Sequence, residues 1–142
     1  METTILAPAA VLVLWTLIMM LWMLGTRLPA LSMAGMGLSK MPAGGRGQDV
    51  DGIVPQSVAW KSHNYTNLLE QPTIFYAVVG ILTLAGQGHG VNTMIAWAYV
   101  ALRIVHSLWQ ALVNTIPIRG GLFLLSTLCL LALSIHAVIA TI

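Results

Sequence analysis

Apolar residues run from Ile5 to Leu24 with only Pro8 and Thr16 interrupting them, and again from Leu122 to Ile142. Each run has the length, about 20 residues, that carries a helix across ~30 Å of hydrocarbon. Pro8 falls in the first turns, where a helix tolerates proline best. Ser126, Thr127 and Ser134 in the last run can bond back to their own helix backbone. The middle of the chain is subtler. Pro72 to Leu84 is too short to cross unless its helix extends backward through Glu70 and Asn67. Thr93 to Ile116 reaches spanning length only by including Arg103, His106, Ser107, Gln110 and Asn114. The second span therefore carries a carboxylate and the third a guanidinium. Gly86 to Gly90, and Asn114 to Gly121 with Pro117, break the pattern between helices. The pattern predicts an all-α integral membrane protein, one four-helix transmembrane bundle over residues 1–142. Its helices are expected at about 4–26, 56–86, 91–116 and 119–141, with a long polar loop at about 27–55. The first run lacks a basic leader and is too long for a signal-peptide core, so it is read as a span.

Composition agrees with lipid as the solvent: 58% of the 142 residues are hydrophobic and 7% are charged, against about 25% charged in soluble domains. Six Lys and Arg and a net charge of +2 are too sparse for a nucleic-acid surface. Cys129 stands alone, so no disulfide framework forms within one copy. Asp49-Val-Asp51-Gly52 has the opening of a calcium loop without its remaining ligands. His63 and His106 lack a metal-binding spacing, and no metal is expected. Charge placement is more informative than charge total. Arg27, Lys40, Arg46 and Lys61 lie in or beside the first loop and Arg119 lies in the third, while the termini and second loop have no Lys or Arg. By the positive-inside rule, loops one and three face the cytoplasm and both termini face the other side.

The buried polar residues are patterned. Arg103, His106, Ser107, Gln110 and Asn114 recur at helical spacing and fall on one face of the third helix. His63, Asn67 and Glu70 do the same on the second. A charged side chain at a helix centre costs about 2.5–3.5 kcal/mol on insertion scales, so each needs a partner or a wet cavity. Counting 1.5 Å per residue from the second loop puts Glu70 and Arg103 within ~6 Å in depth. They are expected to pair within one subunit. A staple between two helices needs only that pair, with Asn67 and Gln110 as further glue. The excess of polar groups toward Arg119 is the signature of a water-accessible pocket for a small zwitterionic or anionic ligand, with Arg for carboxylates, Glu for ammonium and amides for peptide bonds. His106 reads as an ordinary interhelical hydrogen bond sooner than as a catalytic group. His136 is read as structural or interfacial, and His89 as solvated.

Asn64-Tyr-Thr-Asn67-Leu-Leu-Glu70-Gln-Pro72-Thr-Ile-Phe75-Tyr76, then Arg103-Ile-Val-His106-Ser107, Asn114 and Arg119, resemble the membrane-associated proteins in eicosanoid and glutathione metabolism (MAPEG). Four spans, a long first loop and the inferred orientation agree along the whole chain. The resemblance implies a homotrimer with glutathione held between subunits near the cytoplasmic side. It further implies Asn67, Glu70, Arg103, His106, Ser107 and Gln110 as the glutathione-binding wall, and Arg119 as the catalytic cation. Gln110 occupies the aligned place of a helix-3 Tyr in the catalytic members, and Gly120 follows Arg119 where some members have Ser. The motif spacing looks closer to the bacterial branch, implying a bacterial inner membrane.

The resulting expectation is a glutathione-dependent transferase or peroxidase acting on lipophilic electrophiles, with glutathione as co-substrate. Membrane lipids and a lipophilic small molecule are the other partners; nucleic acid is not. Set beside it is a non-catalytic lipid-binding or scaffold protein of the same fold, which the Gln110 replacement favours. A channel or transporter is disfavoured, because the four spans lack paired discontinuous helices.

Overall fold

A computed structural model of the chain describes residues 3–142. Four long helices account for most of them: α1 (Leu6–Met33), α2 (Gln56–Leu84), α3 (Val91–Leu112) and α4 (Ile116–Thr141). All four are long and apolar enough to cross a membrane. Among the described residues there is no strand.

Helix ends follow local chemistry. Gly35 and Gly86 take left-handed φ angles of 75° and 71°, and around them the chain closes matching C-terminal motifs. Met36 and Gln87 N–H groups reach back to Leu31 and Leu82 carbonyls, while Gly35 and Gly86 bond Ser32 and Thr83. These bonds satisfy carbonyls that a helix end otherwise leaves open in apolar surroundings. Asn114 plays the corresponding role after α3 with φ 58°, its N–H bonding Trp109 O. Asparagine tolerates that region better than other side chains.

The third connection is accordingly tighter than the sequence pattern predicts. α3 stops at Leu112 rather than near 116, and α4 starts at Ile116 rather than at 119. Pro117 sits in the first turn of α4, where its missing N–H costs nothing and its fixed φ suits a helix. The expected extent of the first loop is also corrected, because α1 continues past residue 26 to Met33 with Pro29 inside it. Pro29 removes only one ladder bond near the helix end, and Leu31 beyond it is buried against Val50, Val54 and Ala59. That small core offsets the lost bond.

The remaining loop is ordered. Short 3-10 turns form at Leu38–Lys40 and Gly47–Val50, and Asp51 clamps the segment to two helices. Arg27 Nη2 on α1 donates to Asp51 Oδ1 (2.8 Å) and to Gly47 O (2.7 Å), while His63 on α2 meets Asp51 Oδ2 at 2.9 Å. Asp51→Asn removes the charge from this clamp. It is expected to cost about 2 kcal/mol, below the range for fully buried pairs because Asp51 is partly exposed. Limited proteolysis should then cut within residues 34–55 faster, and unchanged cleavage there would refute the clamp.

Neighbouring helices alternate in direction. At one end the N-terminal segment joins the second loop through Ile5 N–H to Gly88 O (3.0 Å), and His136 on α4 meets Asn92 on α3 at 2.6 Å. His136 thus links α4 to α3, and His89 is exposed. Both described chain ends and the second loop thus share one end of the bundle, and the first and third loops share the other. Between them lies an apolar core in which Phe75 stacks on Tyr99, ring centroids 4.4 Å apart, among Leu12, Leu68, Leu82 and Leu133. Leu14, Leu21, Leu124, Leu131 and Ile135 are half or more exposed. In water such a surface is a liability, but against lipid tails it is neutral, leaving packing and interhelical hydrogen bonds to hold the bundle.

Candidate functional site

The α3 stripe faces inward. Arg103 and Ser107 are fully buried, and His106 and Gln110 nearly so, because Trp97, Val105, Leu108 and Leu112 take the outer face of the same helix. Ser107 Oγ accepts from Trp15 Nε1 at 3.0 Å, which fastens α1 to α3. Arg103 Nη2 donates to Asn67 Oδ1 at 2.6 Å and to Asn67 O at 3.2 Å, fastening α3 to α2. The Arg103 guanidinium also lies 5.7 Å from the Phe123 ring centre, close enough for cation–π attraction.

The expected Glu70–Arg103 ion pair does not form within the chain. Glu70 is exposed on the outside of α2, and among the described residues no ion pair or side-chain hydrogen bond holds its carboxylate. Similar depth by residue count does not decide the pairing; azimuth does. Residues three apart on a helix differ by about 300°, so Asn67 turned toward α3 leaves Glu70 turned past it. Asn67, expected as secondary glue, is the partner of Arg103.

Two clefts adjoin at the end of the bundle that carries the first and third loops. One, about 270 Å³, is lined by Asn67, His106, Gln110, Arg119, Gly120 and Phe123. The other, about 350 Å³, shares Asn67 and Gln110 and adds Glu70, His63, Gln48 and Asp51. Of the residues singled out from sequence, Asn67, Glu70, His106, Gln110 and Arg119 therefore open on this space. Arg103 and Ser107 do not line it and stand behind its wall. Arg119 is half-buried in the first turn of α4 and is aimed by Asn114, whose Oδ1 accepts from its Nη1. The left-handed turn at Asn114 thus both ends α3 and orients the cation.

Several buried polar atoms around this wall lack a protein partner: Arg103 Nε and Nη1, His106 Nδ1 and Gln110 Oε1. Unsatisfied buried groups are few in native proteins and are commonly met by water or ligand. Asn64 on α2 is 1% exposed, and among the described residues neither its Nδ2 nor its Oδ1 has a partner, but it lines neither cleft. Gln71 was not singled out from the sequence. It accepts from Tyr99 OH (3.1 Å) and donates to Thr127 Oγ1 (2.9 Å), linking α2, α3 and α4 beneath the cleft. Among the described residues no group of three or more metal-ligating side chains gathers.

A cation at a helix start, an amide pair and an imidazole thus surround a shared polar space at one end of the four-helix bundle. Four antiparallel spans enclosing the polar α3 face define a multi-pass membrane protein. The MAPEG family model matches residues 5–139, and the chain belongs to that family. No curated protein and no solved structure matches it.

Proposed function

We propose that the protein is a glutathione-dependent transferase or peroxidase of the bacterial MAPEG branch, acting on lipophilic electrophiles dissolved in the bilayer. The observation that carries this reading is the convergence of Arg119, His106, Gln110 and Asn67 on one cleft. A thiol must ionise to react, and a fixed cation beside it favours the thiolate. Arg119 supplies that charge. In a transferase cycle the thiolate sulfur attacks the electrophilic carbon, a carbon–sulfur bond forms and the leaving group departs with its electron pair. Glu70 suits the tripeptide's ammonium group, while Asn67 and Gln110 suit its amides. Arg103, bound to Asn67, holds that amide in place from behind.

A homotrimer supports the same reading. An exposed carboxylate at the middle of α2 is costly against lipid, and packing α2 against a neighbouring subunit removes Glu70 from it. Ala77, Gly80 and Ala98 permit close helix approach. Native mass measurement in detergent is expected to give three copies, and a monomer or dimer alone would count against it. The orientation places the first and third loops, with five of the six Lys and Arg in or beside them, in the cytoplasm of a bacterial inner membrane. Reporter fusions should find the C-terminus outside; a cytoplasmic C-terminus would overturn the assignment.

Gln110 favours a second reading, a non-catalytic lipid-binding or scaffold protein, because an amide is a poorer proton donor to sulfur than a phenol. Calorimetric titration with glutathione beside a conjugation assay with an aryl halide separates the two. Binding together with turnover supports the enzyme; the absence of both supports the scaffold.

A further inference from the structure

A cleft of about 600 Å³, larger than either at the thiol site, lies at the other end of the bundle, between the second loop and the last turns of α4. Gln87, His89, Asn92 and His136 give it a polar side, and Val91 and Ile139 an apolar one. No Lys, Arg, Asp or Glu lines it. A phosphate or ammonium group entering there meets no fixed opposite charge, so the space suits a neutral polar group.

A relay of hydrogen bonds sets what His136 offers to this space. Asn92 Nδ2 donates to Gln87 O at 2.9 Å. A backbone carbonyl only accepts, which fixes the amide orientation. Asn92 Oδ1 is therefore the acceptor that faces His136 Nδ1 at 2.6 Å, and Nδ1 carries the ring proton. In the neutral ring Nε2 then holds the free lone pair. Among the described residues Nε2 has no partner, and it is not one of the enclosed unpartnered atoms. It is an open acceptor that a hydroxyl donor satisfies.

Depth says what carries the hydroxyl. The 22 residues of α3 rise about 33 Å at 1.5 Å per residue, close to the ~30 Å of hydrocarbon. The first turn of α3, with Val91 and Asn92, thus marks the hydrocarbon edge, and the cleft lies in the headgroup layer beside it. One turn deeper, Met94 follows Val91 on α3 and Ile135 precedes Ile139 on α4, all four half or more exposed. This apolar track runs from the cleft toward the bilayer centre.

We propose that the cleft binds the head of a membrane-soluble quinol, with one hydroxyl donating to His136 Nε2, the other on the Gln87 and His89 side, and the tail along Val91, Met94 and Ile135. A quinol head is uncharged and carries a donor at each side of a ring, which matches the lining. A phospholipid puts a charged phosphate in the same place without a counter-charge. A simple lipid alcohol reaches His136 but has no second oxygen.

Calorimetric titration of the detergent-solubilised full chain, under nitrogen and at one detergent concentration, with decylhydroquinone, its dimethyl ether, decanol and decyl phosphate tests this. The hydroquinone is expected to bind about tenfold more tightly than the ether, roughly what one neutral hydrogen bond contributes, and to exceed decanol and decyl phosphate by at least as much. Ile139→Trp fills the cleft from an exposed position and should weaken hydroquinone binding by a similar factor. His136→Phe should remove the preference for the hydroquinone over its ether. If His136→Phe does not fold, the ligand series and Ile139→Trp decide the matter. Equal affinity for hydroquinone and ether, decanol or decyl phosphate binding as tightly as the hydroquinone, unweakened binding in Ile139→Trp, or a preference retained in His136→Phe would each overturn the proposal.

Discussion

Arg119→Ala is expected to lower conjugation of a model electrophile by about 10²-fold or more, whereas His106→Ala lowers it by less than tenfold. The first figure is the usual loss when a group that stabilises developing negative charge is removed from a shielded site. Arg119 has the right qualities for that role: its guanidinium presents a fork of donors to an anion, it is held by Asn114, and it lies at the start of α4, where the helix dipole also favours an anion. His106 lines the same cleft from a nearly buried position on α3, with its Nδ1 left without a bonding partner among the described residues. An imidazole so placed helps orient a ligand. The loss in Arg119→Ala should appear mainly in kcat, with glutathione affinity changed less, because the thiolate charge matters most as the sulfur reacts. Steady-state kinetics on the two variants decide it. The opposite ranking would move the sulfur site to α3.

The second large effect concerns stability. Asn67→Leu should destabilise the bundle by about 3 kcal/mol, since it removes the one side-chain acceptor that the structure gives the fully buried Arg103. A buried charge left without its partner carries most of its desolvation cost uncompensated. Glu70→Gln, by contrast, should alter the stability of the separate chain by no more than about 0.5 kcal/mol, as expected for an exposed position without partners. Arg103→Met placed on top of Asn67→Leu should recover much of the loss, because an apolar pair then replaces a stranded cation. Thermal unfolding in detergent, run as a double-mutant cycle on protein held monomeric, measures all of this. If Glu70→Gln proved as damaging as Asn67→Leu, the acid rather than the amide would be the partner of Arg103.

The number of spans, their alternation and the polar face of α3 were all legible in the sequence. They depend on the length of apolar runs, on breakers such as Gly86 and on helical periodicity, each a property of contiguous residues. The α3 stripe from Arg103 to Gln110 needed only a spacing count, and the structure turns that stripe inward. Motif spacing likewise reached the family that the family model confirms over residues 5–139. Helix ends were read less well. Leu31 holds α1 helical beyond Pro29 by packing on Val50 and Val54, contacts that no local window contains.

The tertiary structure decided who meets whom. Axial depth follows from residue counts, and the count put Glu70 and Arg103 near the same level. Their pairing depended on how α2 and α3 are rotated about their axes, and that rotation is set by packing such as Phe75 on Tyr99 and Trp15 on Ser107. Once those contacts fix the azimuth, Asn67 faces the guanidinium and Glu70 faces outward. The ordering of the first loop by Asp51 is of the same kind, because Arg27 and His63 are far apart in sequence and converge only when α1 lies beside α2. A linear pattern specifies which face of each helix is polar. Only the packed bundle specifies which polar face each one meets.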